Sequence, residues 1–247
     1  MVTQSRATPI PLLLTRPEAQ GADFAQLLAA RFGDALAIIK TPLLAPRFFS
    51  PVLPAGPFVA LILTSQTGAE GYLRLGQAEA LPTDVFCVGE RTASAARDAR
   101  LCPLAIAPDA AQLILQIKAL RPIGPLLHVR GRETRGNIGN LLQSAGIDTV
   151  DAVIYAQDPL PLTRHAIDAL LSETPLLVPL FSPRTAALFA AELARIQAVS
   201  PLFIAAMSGE VALEVAKLGA QVTVADSPDA GAMADVVAVL LAKARRA

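Results

Sequence analysis

The sequence predicts an α/β fold of parallel sheets covered by helices, and three observations predict it. Most of ten strand candidates are short apolar runs that are continuous rather than alternating, as suits strands buried on both faces. Between them, apolar residues recur three and four apart, as at Phe24, Leu27 and Leu28 and again at Ile138, Leu141 and Leu142. The two patterns alternate at the spacing of strand–helix units, which excludes all-β sandwiches and helical bundles.

In chain order, strand Leu12–Leu14 precedes a helical pattern over Glu18–Arg31, and Leu36–Ile39 is the next strand. The chain then passes Pro42 and Pro46 up to Phe49, leaving no room for a packed helix. Strands Val59–Leu63, Val85–Val88 and Leu104–Ala107 alternate with helices Thr67–Leu75, Arg91–Ala99 and Ala110–Leu120. Leu126–Val129 leads into a helix over Glu133–Ala145, and Thr149–Ile154 into a second extension holding Pro159 and Pro161. Helix Thr163–Leu171, strand Leu176–Phe181, helix Arg184–Arg195, strand Leu202–Ala205, helix Gly209–Leu218, strand Val222–Ala225 and helix Ala230–Ala244 complete the chain.

The order repeats. Strand–Arg–helix, strand–Ser–helix, strand–small-residue turn–helix and strand–Pro/Asp turn–helix occur twice, with corresponding points about 115–119 residues apart. The two proline-bearing passages read as crossings between two lobes. The N-terminal strand and helix then belong with the C-terminal third, a cleft between the lobes being where a small molecule is expected. The expected boundaries are residues 1–38 with 161–247, residues 50–150, and a connector of 39–49 with 151–160.

Composition narrows the function. Of 247 residues, 53% are apolar and 17% charged, which excludes extended disorder. The most apolar stretch, Pro51–Leu63, is 13 residues long and holds three prolines, too short for a membrane span. Leu12–Leu14 is too short for the apolar core of a secretion signal, and Cys87 and Cys102 make neither a disulfide framework nor a metal quartet. A cytoplasmic protein is the expectation. The net charge is zero, against a broad nucleic-acid footprint, but 17 of the 21 basic residues are arginines, whose planar fork suits carboxylates.

Glycine-rich nucleotide loops, nucleophile elbows and zinc-binding His pairs are missing from the sequence. His128 falls inside an apolar run and reads as a packed strand residue, while His165 reads as solvated. The useful signals are polar groups at strand ends, where ligands of α/β sheets collect. Arg16, Arg130, Thr64, Ser65, Ser182, Arg184, Gly89, Thr92 and Ser208 all occupy such positions. Each serine or threonine can equally cap its helix; together they form an arginine-bearing rim suited to a polyanion. Tyr155, one of two tyrosines, ends the strand at the second crossing, where a phenol can donate a hydrogen bond, act as a general acid or simply pack.

The succession LLLTRPEAQ, LILTSQTGAEGYL, VFCVGERTASAA, LLHVRGRETRGNIGNLLQSAG, VDAVIYAQDPL and LLVPLFSPRTAALFAAEL, over about residues 10–243, resembles the uroporphyrinogen-III synthase family. The resemblance implies two similar flavodoxin-like α/β lobes joined by a two-stranded β connector, with the active site between them. It implies cyclisation of the small molecule hydroxymethylbilane to uroporphyrinogen III, with loss of water, inversion of one end ring and a spiro-type intermediate. No metal or organic cofactor, no nucleic acid and no membrane are implied, and the chain is expected to act as a monomer. Transient hand-over from the preceding pathway enzyme is a further expectation.

By position in the family pattern, Tyr155 assists departure of the hydroxyl. Thr64, Ser65 and Thr92 are polar positions facing the cleft. Arg16, Arg130, Ser182 and Arg184 are candidate carboxylate ligands, and amides around Gly89 meet a carboxylate. The chain departs from the pattern at MSGEVA, where Val211 stands in place of a threonine and Ser208 is the remaining hydroxyl, and at AQDP after Tyr155, which lacks an Arg-Thr pair. A non-catalytic two-lobe module for a polycarboxylate is the alternative reading.

Overall fold

A computed structural model describes residues 8–75, 81–133 and 136–246. The chain divides into two compact units, one formed by the chain up to Ala45 and from Pro159, the other by Pro46–Asp158. The first unit carries strands β1 (Ile10–Leu14) and β2 (Leu36–Lys40), and the chain next enters β3 (Leu44–Phe48). The second adds β4 (Ala60–Leu63), β5 (Asp84–Val88), β6 (Cys102–Ala107), β7 (Leu126–Gly131) and β8 (Thr149–Pro159). Strands β9 (Leu176–Leu180), β10 (Leu202–Ala206) and β11 (Gln221–Val224) return to the first unit.

Helices α1 (Glu18–Phe32), α2 (Gln66–Arg74), α3 (Glu90–Asp98), α4 (Ala110–Leu120) and α5 (Ile138–Gln143) alternate with the early strands. Helices α6 (Arg164–Leu170), α7 (Pro183–Ile196), α8 (Gly209–Val215) and α9 (Ala230–Ala244) do so with the later ones. Side chains fix many helix starts. Ser65, Asp109, Thr163, Ser182, Ser208 and Asp229 each accept a hydrogen bond from the backbone amide three residues on.

One sheet has the order β11-β10-β9-β1-β2, the other β3-β8-β7-β4-β5-β6. The neighbours in the first sheet are parallel, as are β8-β7, β7-β4, β4-β5 and β5-β6 in the second. Continuous apolar strands are needed because each sheet is covered on both faces. Leu12 and Leu14 pack with Phe24 and Leu28 of α1 and Met233 and Val237 of α9; Leu13 between them packs with Leu170 of α6 and Phe189 of α7. In the other sheet, Leu61 and Leu63 meet Tyr72 and Ala93, while Ile62 meets Leu113 and Leu142.

The proline-bearing passages run side by side in opposite directions. Leu160 N–H donates to Leu43 O at 2.9 Å, and Phe49 N–H donates to Ile154 O at 2.7 Å. Arg47 Nε pairs with Asp158 at 2.5 Å.

Two helices are shorter than the sequence pattern suggests. The expected helix Glu133–Ala145 is realised only as α5, partly because Gly136 adopts φ +84°, outside the helical region; residues 134 and 135 lie outside the described residues. The expected helix Gly209–Leu218 ends as α8 at Val215 and tightens into a 3-10 turn over Ala216–Leu218, closed by left-handed Gly219. Among the described residues, no helix is long and apolar enough to cross a membrane.

Candidate functional site

Each sheet reverses its winding at one place. In the first, β1 and β9 are neighbours while their connections lead to opposite sides; in the second, β4 and β7 stand in the same relation. Loops diverge at such a switch point and leave a crevice at the strands' C-terminal ends.

In the unit Pro46–Asp158 this crevice is a cavity of about 270 Å³, lined by Thr64, Ser65, Val88, Ala110, His128, Glu133, Gly136, Ile138 and Tyr155. Thr64 and Ser65 directly follow β4. The Ser65 hydroxyl oxygen accepts from Gly68 N–H at 3.0 Å and lies 2.9 Å from the Tyr155 hydroxyl. The amide occupies a lone pair of Ser65, so its own O–H is free to donate to the phenol oxygen.

Tyr155 is only 7% exposed. Burial holds its phenol above the ordinary value of 10, although the Ser65 hydrogen bond and the Gly131 backbone work in the other direction. The ring crosses Gly131, where a Cβ would fall 2.7 Å from Cζ and 2.9 Å from the hydroxyl oxygen. Strand register shifts at this point, pairing Gly131 with Tyr155, and Arg132 N–H donates to Tyr155 O at 2.8 Å.

The other sequence candidates are distributed differently. Thr92 is buried in the first turn of α3 and is not among the described residues lining the cavity. Gly89 starts α3 with φ +81°, and its own N–H donates to Ala107 O at 2.7 Å, so an anion at this helix start would meet the amides that follow it. Arg130 is likewise engaged: Nε donates to Asp151 at 2.7 Å and an Nη donates to Gly131 O at 2.9 Å.

In the other unit, Arg16 follows β1 and lines a second cavity of about 130 Å³ with Leu14, Glu18, Gly21, Lys40 and Pro42. Its guanidinium stacks 3.9 Å from the centre of the Phe181 ring, at the end of β9. Ser182 caps α7 and bonds the Thr185 hydroxyl at 2.9 Å, and Arg184 is exposed on the same first turn. Neither lines the Arg16 cavity. Ser208 caps α8 at 3.4 Å, and Val211 is buried in the core, so the missing threonine is filled by packing.

The sequence pattern did not single out Glu133, Asp151, Lys40 or Phe181, and it read His128 only as packing. His128 is indeed buried, but it also lines the first cavity. Among the described residues, no group of three or more His, Cys, Asp and Glu is placed to hold a metal ion.

A family model described as Uroporphyrinogen-III synthase HemD matches residues 35–235. The uroporphyrinogen-III synthetase of Helicobacter pylori is similar with a TM-score of 0.63 at 17% identity, over 94% of this chain and 99% of that one. A mutant uroporphyrinogen III synthase from Thermus thermophilus aligns with a TM-score of 0.49 at 17% identity, over 95% of this chain and 99% of that one. No curated protein matches the chain. With the family model spanning most of the sequence, the chain belongs to the uroporphyrinogen-III synthase HemD family.

Proposed function

We propose that the protein is a uroporphyrinogen-III synthase that cyclises hydroxymethylbilane to uroporphyrinogen III, inverting ring D and releasing water. Family membership supports the reaction class. The observation that carries the residue-level reading is the Tyr155–Ser65 hydroxyl pair, 2.9 Å apart in the wall of a switch-point cavity.

In this reading Ser65 donates to the Tyr155 oxygen and Tyr155 gives its proton to the departing hydroxyl. The C–O bond breaks, water leaves, and an azafulvene-like cation remains on the first ring. The substituted carbon of ring D attacks it to form a spiro intermediate, which fragments and re-closes with that ring inverted. The proton lost as the ring regains aromaticity restores the phenol. Burial suits this role, because it keeps Tyr155 protonated until the leaving group needs the proton.

The rest is orientation. A cavity of about 270 Å³ is small among ligand sites, and takes one ring end rather than a whole bilane. Thr64 adds a polar side chain to that wall. Arg16, beside Lys40, is proposed to bind a substrate carboxylate, with Ser182, Arg184 and Ser208 as further contacts on that unit. The reading needs no cofactor and one copy of the chain.

It also includes two similar flavodoxin-like lobes, residues 1–38 with 161–247 and residues 50–150, joined by the strand pair 39–49 and 151–160. The strand orders support this. Matching β1, β2, β9, β10 and β11 with β7, β8, β4, β5 and β6 turns the order of one sheet into that of the other, with β3 added at the edge.

The test is an isomer-resolved product assay with freshly generated hydroxymethylbilane. Type III product above the spontaneous background is the expected result; type I alone at the spontaneous rate would reject the synthase reading.

A further inference from the structure

A second polar group is built into the wall of the Tyr155 cavity, and the proposed cyclisation makes no use of it. His128 stands on β7, buried to 3% exposure, directly opposite Asp151 on β8 in the parallel register. Its Nδ1 lies 2.9 Å from Asp151 Oδ1, and the other carboxylate oxygen accepts from Arg130 Nε at 2.7 Å. These contacts hold the Asp151 carboxyl below its ordinary value, the His128 hydrogen bond foremost, against the opposing effect of burial.

An ionised carboxylate only accepts, so Nδ1 is the nitrogen that donates. In the neutral imidazole the lone pair then sits on Nε2. That atom is buried and has no hydrogen-bond partner among the described residues, while the residue lines the same cavity as Thr64, Ser65 and Tyr155. Buried polar atoms are nearly always paired, so an orphan in a cavity wall points to a ligand. The chemistry of the wall also selects the ligand group. The Glu133 side chain, whose Oε2 accepts from Gln157 N–H at 3.2 Å, lines the same cavity. A carboxyl group in the wall disfavours a ligand carboxylate, and the imidazole lone pair suits an N–H donor.

We propose that His128 Nε2 is a substrate-binding acceptor for a pyrrole N–H, with Asp151 as the positioning residue that fixes its tautomer and Arg130 as the residue that holds Asp151. The inference rests on the synthase reading, which supplies a substrate bearing both ring N–H groups and carboxylates. It deepens that reading by assigning this wall to a ring edge and leaving the carboxylate arms to other contacts.

The chain has two histidines and His165 is exposed, so ¹⁵N-histidine labelling gives two imidazoles with an internal reference. In the ligand-free protein His128 is expected as the Nδ1–H tautomer with unprotonated Nε2; an Nε2–H signal would overturn the proposal. With hydroxymethylbilane, His128→Leu should raise KM about 10-fold with a smaller change in kcat, since the contact is made on binding. His128→Gln, whose amide oxygen can accept, should recover most of that loss.

Asp151→Asn should move the proton to Nε2, visible in the ¹⁵N spectrum, and raise KM in parallel, an outcome that simple loss of packing would not give. If type III product forms and His128→Leu keeps the wild-type KM, the inference fails and the synthase reading stands. Type I product alone from the wild type removes both.

Discussion

The Tyr155 hydroxyl lies 2.9 Å from the Ser65 hydroxyl across 90 residues of sequence, and both groups line one cavity. Ser65 holds this place because it caps α2, and Tyr155 because its ring crosses a strand position without a side chain. Tyr155→Phe removes the hydroxyl, and with it the proton and the oxygen that Ser65 contacts, and leaves the ring. It should lower kcat for type III product by about 100-fold, the low end of what a positioned general acid supplies. The wild-type enzyme should hold its kcat up to pH values above 10, the ordinary phenol value, because burial raises Tyr155. Quenched-flow rates with product separation check both; a wild-type rate for the Phe variant would remove Tyr155 from the chemistry.

Ser65→Ala combines two losses that a control can separate. The cap of α2 disappears, at a cost of about 1 kcal/mol, and so does the partner of the phenol. Asp229→Ala removes the equivalent cap of α9, where Asp229 accepts from Ala232 N–H at 2.9 Å in the other unit. Denaturant midpoints should fall similarly in the two variants, while only Ser65→Ala should lower kcat. Equal kinetics in both would reduce Ser65 to a helix cap.

Gly131→Ala tests the close approach directly. A methyl group there would fall 2.7 Å from the Tyr155 ring, so the ring must shift, which should break its contact with Ser65. Overpacking of this kind costs about 1–3 kcal/mol. The variant should therefore lose stability and lose type III activity by at least as much as Tyr155→Phe. A crystal structure should show the 2.9 Å hydroxyl contact broken.

The strands were legible because burial on both faces leaves continuous apolar runs, and Leu12–Leu14 shows the limiting case, with alternate residues serving opposite cores. Helix α5 was misjudged at its start: it was expected from Glu133, but its apolar spacing begins only at Ile138, and Gly136 at φ +84° interrupts the helical path. Tyr155, Thr64 and Ser65 were visible as polar residues ending apolar strands, and all three line the cavity. Arg130 was visible for the same reason, but its partner Asp151 was not. Asp151 sits mid-strand in a run that reads as apolar, and only the β7–β8 register sets it against His128. Pairings across strands have no local sequence signal, so sequence pattern recovered the rim of the site better than its wall.

Asp151 also carries a pH prediction. Its folded value lies below the ordinary 3.8, chiefly through the hydrogen bond from His128, with Arg130 adding to it. A depressed carboxyl contributes stability above its unfolded value and loses it as pH falls through the folded one. Wild type should thus exceed Asp151→Asn in urea midpoint at neutral pH, and the gap should close as pH falls below 3.8. Asp151→Ala should cost more at neutral pH, about 1–3 kcal/mol, because the buried Nδ1 of His128 loses its partner. A pH-independent gap would mean that the carboxylate's charge contributes nothing.

Arg16 offers the corresponding test on the other unit. Its guanidinium is fixed over the Phe181 ring at 3.9 Å, in a cavity wall that also contains Lys40. A stacked guanidinium keeps its fork in one orientation, which suits a planar carboxylate better than a mobile ammonium does. Arg16→Ala should therefore raise KM about 10-fold with less effect on kcat, the pattern of a group that binds ground state and transition state alike. Arg16→Lys should restore charge without the fork and recover only part of the affinity. Phe181→Leu, which removes the stacking surface and leaves the arginine, should fall between wild type and Arg16→Ala. Unchanged KM in all three would show that the Arg16 cavity binds no part of the substrate, and would leave carboxylate recognition on this unit to Ser182 and Arg184.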